Sequence, residues 1–242
     1  MARLLFEKTG SAVWISHLDL MRLFQRAFKR AGLPLKHTQG FNPRPSVSIA
    51  LPLSVGVESR CELLDFDIDG ETIANDAVCK RLNETVVSGV RVHKVYDGGK
   101  KLKELTHLHC TVTLKYDSGV PAGAAESIDR LLHSDSLLVS KKSKNGPVEQ
   151  DIIPMIKHCA VTQADNTVTV DATICCQNPS MNPMQIAGAV TRYLPELSPD
   201  HAICARQEIY TASGEIFRSG ATIWKTMKRS FWKSAPCAAA RA

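Results

Sequence analysis

Four cations lie within nine residues of one predicted helix. The helical periodicity of residues 17–31 places Arg22, Arg26 and Lys29 along one side over two turns, with Arg30 beside them. Cations at this spacing can contact successive phosphates of a nucleic-acid backbone, which releases counterions and makes binding salt-dependent. A solvated outer helix face is the alternative, and the sequence leaves both open.

The stretch "GFNPRPSVSIALPLSVGVES" (40–59) sets a proline-rich loop directly against a short apolar run. Phe41 offers a plane on which a base can stack, and Arg44 offers a planar fork for phosphate or base edges. Pro43 and Pro45 restrict the backbone around Arg44 and lower the entropy cost of holding it in place. The loop therefore predicts a clamp for a single-stranded segment, unless its prolines serve only to protect an edge strand.

His17 is the candidate catalytic residue of the helix. A histidine can act as general base on a ribose 2′-hydroxyl, and Asp19 lies two residues away. On a helical wheel, however, His17 falls toward the apolar side and Asp19 away from it. Asp19 is also explained by capping with Ser16 at the helix start. A structural histidine is the favoured interpretation.

The second half of the chain offers a lysine turn and a histidine pair. Lys141, Lys142 and Lys144 lead into Asn145-Gly146, a turn that either grips phosphate or is solvated. His107 and His109 share one face of a strand, but the spacing provides no third ligand, so no metal site is predicted. Without a glycine-rich nucleotide loop or a nucleophile elbow, no cofactor is predicted either.

Positive charge is concentrated at the two ends of the chain. Residues 1–60 carry nine Lys/Arg against three acids, residues 61–213 fifteen against twenty, and residues 214–242 six against one. This asymmetry predicts a polyanion-binding face and a basic tail. The eight cysteines lack the spacing of a disulfide framework or a metal cluster, and the chain has no apolar run long enough to span a bilayer. A cytoplasmic protein with reduced cysteines is predicted.

Alternating and helical patterns occur in the order β-α-β-β-α-β, and then again in the same order. The first strand is "ARLLFEK", which "SAVWI" is predicted to extend or close. In the second half "SLLVSKK" and "NTVTVDATICC" are predicted as strands. The sequence thus predicts an α+β fold of two tandem ferredoxin-like (βαββαβ) halves. The predicted segments are a first half at 1–97, a linker at 98–104, a second half at 105–213 and a weakly ordered tail at 214–242.

Three motifs carry a resemblance to a known family: "ISHLDLMRLFQRAFKRAGLPL", the proline-rich stretch and "KKSKNGPVEQDIIP". Together they resemble an uncharacterised bacterial family found beside or fused to radical-SAM proteins, over about residues 2–210. The resemblance implies a companion to a radical-SAM enzyme that acts on RNA or on the translation apparatus. Architecture also gives a distant resemblance to the CRISPR repeat-processing endoribonucleases, an analogy of fold alone.

Three functional hypotheses follow. The first is an RNA-binding accessory module, without catalytic activity, that presents RNA or a translation component to a radical-SAM partner. The second is a metal-independent endoribonuclease using His17. The third is a protein adaptor for a radical-SAM enzyme.

Overall fold

The structure is a computed structural model that describes residues 1–143 and 146–218, except for the side chains of residues 142 and 143. The described residues form a mixed α/β protein, which confirms the predicted combination of helices and strands. The chain divides into two compact units. Met1–Leu105 and Ile203–Ile209 belong to the first, whereas Thr106–Ala202 and Tyr210–Glu215 belong to the second. In the described part of the chain, no helix combines the length and apolar character needed to span a membrane.

The first unit follows the predicted order of elements. These are β1 (Ala2–Lys8), α1 (His17–Arg30), β2 (Val47–Ile49), β3 (Val57–Phe66), α2 (Asn75–Asn83) and β4 (Val90–Asp97). Strand β1 lies between β4 and β3 and is antiparallel to both, while β2 pairs antiparallel with the far end of β3. The strand order is therefore β4-β1-β3-β2.

Helix α1 packs on one face of this sheet because its apolar residues recur at helical spacing. Phe24 meets Phe6 with ring centroids 4.8 Å apart, and Phe28 meets Phe66 at the same distance. All four rings are completely or almost completely buried. Burial of aromatic side chains of this size is a large stabilising contribution, and it fixes which face of α1 points outward.

The segment after β1 does not extend the strand, so of the two predicted alternatives the extension was wrong. Gly10–Trp14 forms a short 3₁₀ helix instead. Gly10 adopts a left-handed backbone (φ +55°) that turns the chain out of the strand. The Thr9 amide then donates to the carbonyl of Gly89, 2.7 Å away. This partner is distant in sequence, and no local pattern announces it.

Charged side chains are buried inside the first unit as well as exposed on it. Lys8 is completely buried, and burial lowers its pKa. On β3, Glu62 accepts from Arg206 at 2.7 Å, and Asp65 accepts from Arg3 through two nitrogens at 2.5 and 2.9 Å. Each buried carboxylate is thus paired with a guanidinium, as the cost of burying charge requires.

The remaining α-helices and strands lie wholly or partly in the second unit. These are β5 (Leu105–Lys115), α3 (Ala124–Leu132), β6 (Leu138–Ser143), β7 (Gly146–Asp151), β8 (Ile156–Ala164), β9 (Thr167–Cys175), α4 (Met184–Tyr193) and β10 (His201–Thr211). Strand β9 lies between β5 and β8 and is antiparallel to both. Most of β10 and the first residue of β5 belong to the first unit, and within that part of β10 Cys204–Arg206 pairs parallel with β3.

Two strands of the second unit differ from the sequence prediction. The "SLLVSKK" stretch forms strand β6, but this strand pairs with β7 in a separate two-stranded hairpin. The place beside β9 is taken by β8, which the sequence analysis missed. Most β8 side chains are at least partly exposed, and Cys159 is its one buried residue, so the strand lacks a strong apolar alternation.

Candidate nucleic-acid interface

A groove of about 450 Å³ runs along the exposed side of α1 in the first unit. One side chain from the segment before the helix and one from the segment after α2 complete its lining. The lining residues are Ile15, Asp19, Arg22, Leu23, Arg26, Arg30 and Val87. The groove therefore combines three guanidinium groups and a single carboxylate with an apolar floor.

The arginines line one groove because of their spacing on α1. Arg22, Arg26 and Arg30 recur every fourth residue, so they rise along the same side of the helix, about 6 Å apart along its axis. The opposite side is held by the buried aromatic contacts described above. The register of α1 is further fixed at its start, where the Ser16 hydroxyl accepts from the Asp19 amide at 3.2 Å. The predicted capping by Ser16 is thereby confirmed.

Two of the arginines already have partners. Arg22 contacts Asp19 at 3.0 Å, and both side chains are exposed. The Ser16 hydroxyl donates to the same carboxylate at 2.7 Å, and this bond, followed by Arg22, holds the pKa of Asp19 below its usual range. Arg30 donates to the Thr85 carbonyl at 2.6 Å, while the Thr85 hydroxyl donates back to Ala27 of the helix at 3.2 Å. The segment that carries Val87 is thus tied to α1.

Arg26 differs from its neighbours. Its side chain is exposed and makes no hydrogen bond or ion pair to any described residue. It lines the middle of the groove, between two arginines whose positions are fixed. Arg26 is therefore the cation most available to an anionic ligand.

The other predicted residues of α1 lie outside the groove lining. Lys29 is exposed on the helix but does not line the groove. His17 is half-buried, and its Nδ1 atom is buried without a hydrogen-bond partner in residues 1–143 and 146–218. Asp19 bonds to Ser16 and Arg22, so the candidate pair of His17 and Asp19 is not joined by a hydrogen bond.

The proline-rich loop is closed at its base and exposed at its tip. The Thr38 amide donates to the Arg44 carbonyl at 2.8 Å, and the Arg44 amide donates to the Thr38 hydroxyl at 3.1 Å. An antiparallel bridge between His37 and Pro45 lies just below. Phe41 at the tip is fully exposed, and Arg44 is exposed too. Neither residue lines the groove on α1.

The lysine turn of the second unit is only partly described. Lys141 donates to the Ser180 carbonyl at 3.0 Å, an internal contact of that unit. The side chain of Lys142 and the whole of Lys144 lie outside the described residues, as does the predicted tail from residue 219. No group of three or more metal-ligating side chains occurs in the part of the chain that is described.

The sequence analysis missed the apolar side of the groove. Ile15 and Leu23 carry no chemical signal of their own, and Val87 lies 61 positions after Arg26 in the chain. Val87 follows α2, which ends at Asn83. The missing information was the contact between α1 and that segment, which spacing within either one does not reveal.

Comparison with known proteins identifies the family of the chain. Residues 2–183 match DUF2344, a family described as an uncharacterized protein conserved in bacteria. The chain belongs to DUF2344. The matched residues of this DUF2344 protein include the groove, the proline-rich loop and the lysine turn. No curated protein matches the chain.

Two solved structures illustrate what this DUF2344 protein is similar to. One is the crystal structure of a Cbf5-Nop10-Gar1 complex, with 7% identity and a TM-score of 0.48 over 86% of this chain. This chain covers 48% of that one, so it spans about half its length. The other is an unknown protein from Galdieria sulphuraria, with 8% identity and a TM-score of 0.25, covering 85% of this chain and 96% of that one. At these TM-scores neither similarity defines the fold or the function of the DUF2344 protein.

Proposed function

We propose that this protein is an RNA-binding module whose α1 groove holds the backbone of a single-stranded segment. The observation that carries the proposal is the set of three arginines at four-residue spacing in one groove, with Arg26 unpaired among the described residues. Guanidinium groups bind phosphate through parallel hydrogen bonds and keep their charge at any physiological pH. Three guanidinium groups along one side of a helix can therefore bind successive phosphates of a nucleic-acid backbone.

The lining of the groove favours a single strand over a duplex. The apolar side chains of Ile15, Leu23 and Val87 suit the faces of bases, which a single strand can expose and a duplex keeps stacked. Phe41 and Arg44 on the loop, and Lys29 on the helix, would extend the contact, and the lysine turn would supply a second one.

The test is RNA binding by charge-neutralised variants over a salt series. Arg22→Gln with Arg26→Gln should weaken binding of a labelled oligouridylate, and the slope of log K against log salt should flatten by about 1.4, or 0.7 for each lost phosphate contact on a single strand. Arg81→Gln with Arg91→Gln, at two exposed arginines outside the groove, is the matched control. An unchanged slope in the double variant, or an equal loss in the control, would remove the groove from the proposal.

The partner of such a module is proposed from the family resemblance. Motifs like those of radical-SAM-associated proteins support a role in presenting RNA to a radical-SAM enzyme on a separate chain. Co-purification with such an enzyme that survives nuclease and high salt would instead favour the adaptor hypothesis, because RNA-bridged contacts should be lost under those conditions. The cytoplasmic setting stays a prediction as well.

The finer fold is also a proposal. The β4-β1-β3-β2 order of the first unit supports a ferredoxin-like half, since two helices connect its strands in the βαββαβ order. We propose the same for the second unit, with the hairpin of β6 and β7 inserted. The endoribonuclease hypothesis, which uses His17, gains no support from the Asp19 contacts described above.

A further inference from the structure

Trp14 is a large aromatic residue that is held in place and yet exposed. Its side chain is 72% accessible to solvent, although it ends the short helix Gly10–Trp14 whose residues Ala12 and Val13 are buried. The next residue, Ile15, lines the arginine groove. Trp14 is not itself a lining residue, but consecutive Cα atoms are about 3.8 Å apart, so the main chain at Trp14 adjoins the groove lining.

Gly56 lies beside the indole. A Cβ atom at position 56 would lie 3.6 Å from the Cζ3 atom of Trp14, which is ordinary van der Waals distance. Gly56 has a left-handed backbone (φ +81°), and its amide donates to the Val13 carbonyl at 2.9 Å. A glycine near the end of the proline-rich stretch is thereby joined to the segment that carries Trp14.

We infer that Trp14 is the base-stacking residue of the α1 groove. The inference rests on the proposed function, since it adds a nucleobase to the RNA whose phosphates lie along the arginines. An exposed indole gives a base a rigid plane, and stacking on aromatic side chains tolerates any base. Arg22 and Arg26 line the same groove as Ile15, and their charge favours a nucleotide over an apolar segment of a protein partner.

Two ligands of equal length separate stacking from phosphate binding. One is a labelled oligouridylate, and the other is an abasic oligomer with the same number of phosphates. Trp14→Ala should weaken oligouridylate binding roughly 5- to 100-fold, the range for loss of one stacked base, and leave the abasic oligomer unaffected. Trp14→Phe should recover most of the affinity because it keeps an aromatic plane. Thermal unfolding of each variant reports whether the fold is intact.

Several outcomes would overturn the inference, and they differ from failure of the proposed function. If Trp14→Ala binds both ligands as the unchanged protein does, Trp14 does not stack while the groove still binds RNA. An equal loss for both ligands would make the role of Trp14 structural. A protein that binds neither ligand, or binds without any effect of Arg22→Gln and Arg26→Gln, contradicts the proposed function itself. Association with a protein that depends on Trp14, with RNA affinity unchanged, would assign the indole to protein docking.

Discussion

The buried ammonium group of Lys8 donates to the main-chain carbonyl of Ile15, 2.9 Å away. Lys8 ends the strand β1, and Ile15 lines the arginine groove. One hydrogen bond thus joins the sheet of the first unit to the wall of its candidate site. Because the donor has no exposure to solvent, this bond is protected from competing water.

Lys8→Met should make stability less dependent on pH. Burial lowers the pKa of Lys8, so between its folded pKa and the ordinary value near 10.5 the unfolded chain binds more protons than the folded one. Stability contributed by Lys8 therefore rises with pH across that window. Urea unfolding should be measured at a series of pH values up to 10. The free energy of unfolding of the unchanged protein should rise relative to that of Lys8→Met as pH increases.

If the free energy of unfolding of the unchanged protein does not rise relative to that of Lys8→Met with increasing pH, this account of Lys8 is contradicted. Lys29→Met removes an exposed lysine from α1 and is the matched change of composition. Comparing variants at each pH cancels the contribution of the other titratable groups.

Asp19→Asn should strengthen RNA binding. The carboxylate of Asp19 holds Arg22 at 3.0 Å and is the one acidic side chain in the groove lining. Its neutralisation removes a carboxylate that competes with phosphate for Arg22, so we expect roughly 2- to 5-fold tighter binding. Asp76→Asn, at an exposed acid in the first turn of α2, changes net charge equally outside the groove and should have a smaller effect.

Stability of the same variant gives an independent check by pH. The pKa of Asp19 is lowered, first by the Ser16 hydroxyl and then by Arg22. The stability that Asp19 adds is therefore complete above its unfolded pKa of about 3.9 and disappears as pH falls through its folded pKa. The melting temperatures of the unchanged protein and Asp19→Asn should differ at neutral pH and become equal in acid. A difference in melting temperature that persists in acid would mean that it does not come from ionisation of Asp19.

Gly89→Ala should destabilise the first unit strongly. A Cβ atom at this position would lie 2.4 Å from the Thr9 carbonyl oxygen and 2.9 Å from the Ala12 Cβ. Gly70 has nearly the same backbone angle, with φ +87° against +83°, and nothing within 4 Å of such an atom. Gly70→Ala should cost about 1–2 kcal/mol from backbone strain alone, and Gly89→Ala about 1–3 kcal/mol more. If chemical denaturation gives the same loss in free energy of unfolding for both variants, the segment from Thr9 to Ala12 moves away from the added Cβ atom at no measurable cost.

Phe41→Ala should lower RNA affinity without lowering stability. The ring is fully exposed at the loop tip, so its removal leaves no cavity. Loss of one stacked base corresponds to a roughly 5- to 100-fold decrease in affinity, and Phe41→Trp should retain binding. If Phe41→Ala binds oligouridylate as tightly as the unchanged protein, the loop lies outside the RNA surface.

The parts of this molecule that sequence predicted well are those determined within one element. The start of α1 follows from Ser16 and Asp19, and the line of arginines follows from a spacing of four residues. The other wall of the groove depends on contacts between segments far apart in the chain. Val87 lies beside α1 because Arg30 and Thr85 bond to each other's segments, and neither residue type signals that pairing.

The course of Gly10–Trp14 was missed for a related reason. Its apolar residues resemble the end of a strand, and the contacts that turn it into a 3₁₀ helix come from Gly89 and Gly56. Strand β8 was missed for a different reason, because a strand with one buried side chain has little hydrophobic periodicity in its sequence. Tertiary contacts decided both cases, and local pattern does not encode them.

The short helix at Gly10–Trp14 is bonded to three separate pieces of the first unit. Thr9 before it bonds to Gly89, Val13 within it to Gly56, and Ile15 after it to Lys8. Local opening would have to break all three bonds together, so the amide hydrogens of Thr9 and Gly56 should exchange with deuterium only when the whole unit opens. The segment that carries Ile15 is therefore ordered before a ligand enters the groove, and binding there should cost little conformational entropy of the protein.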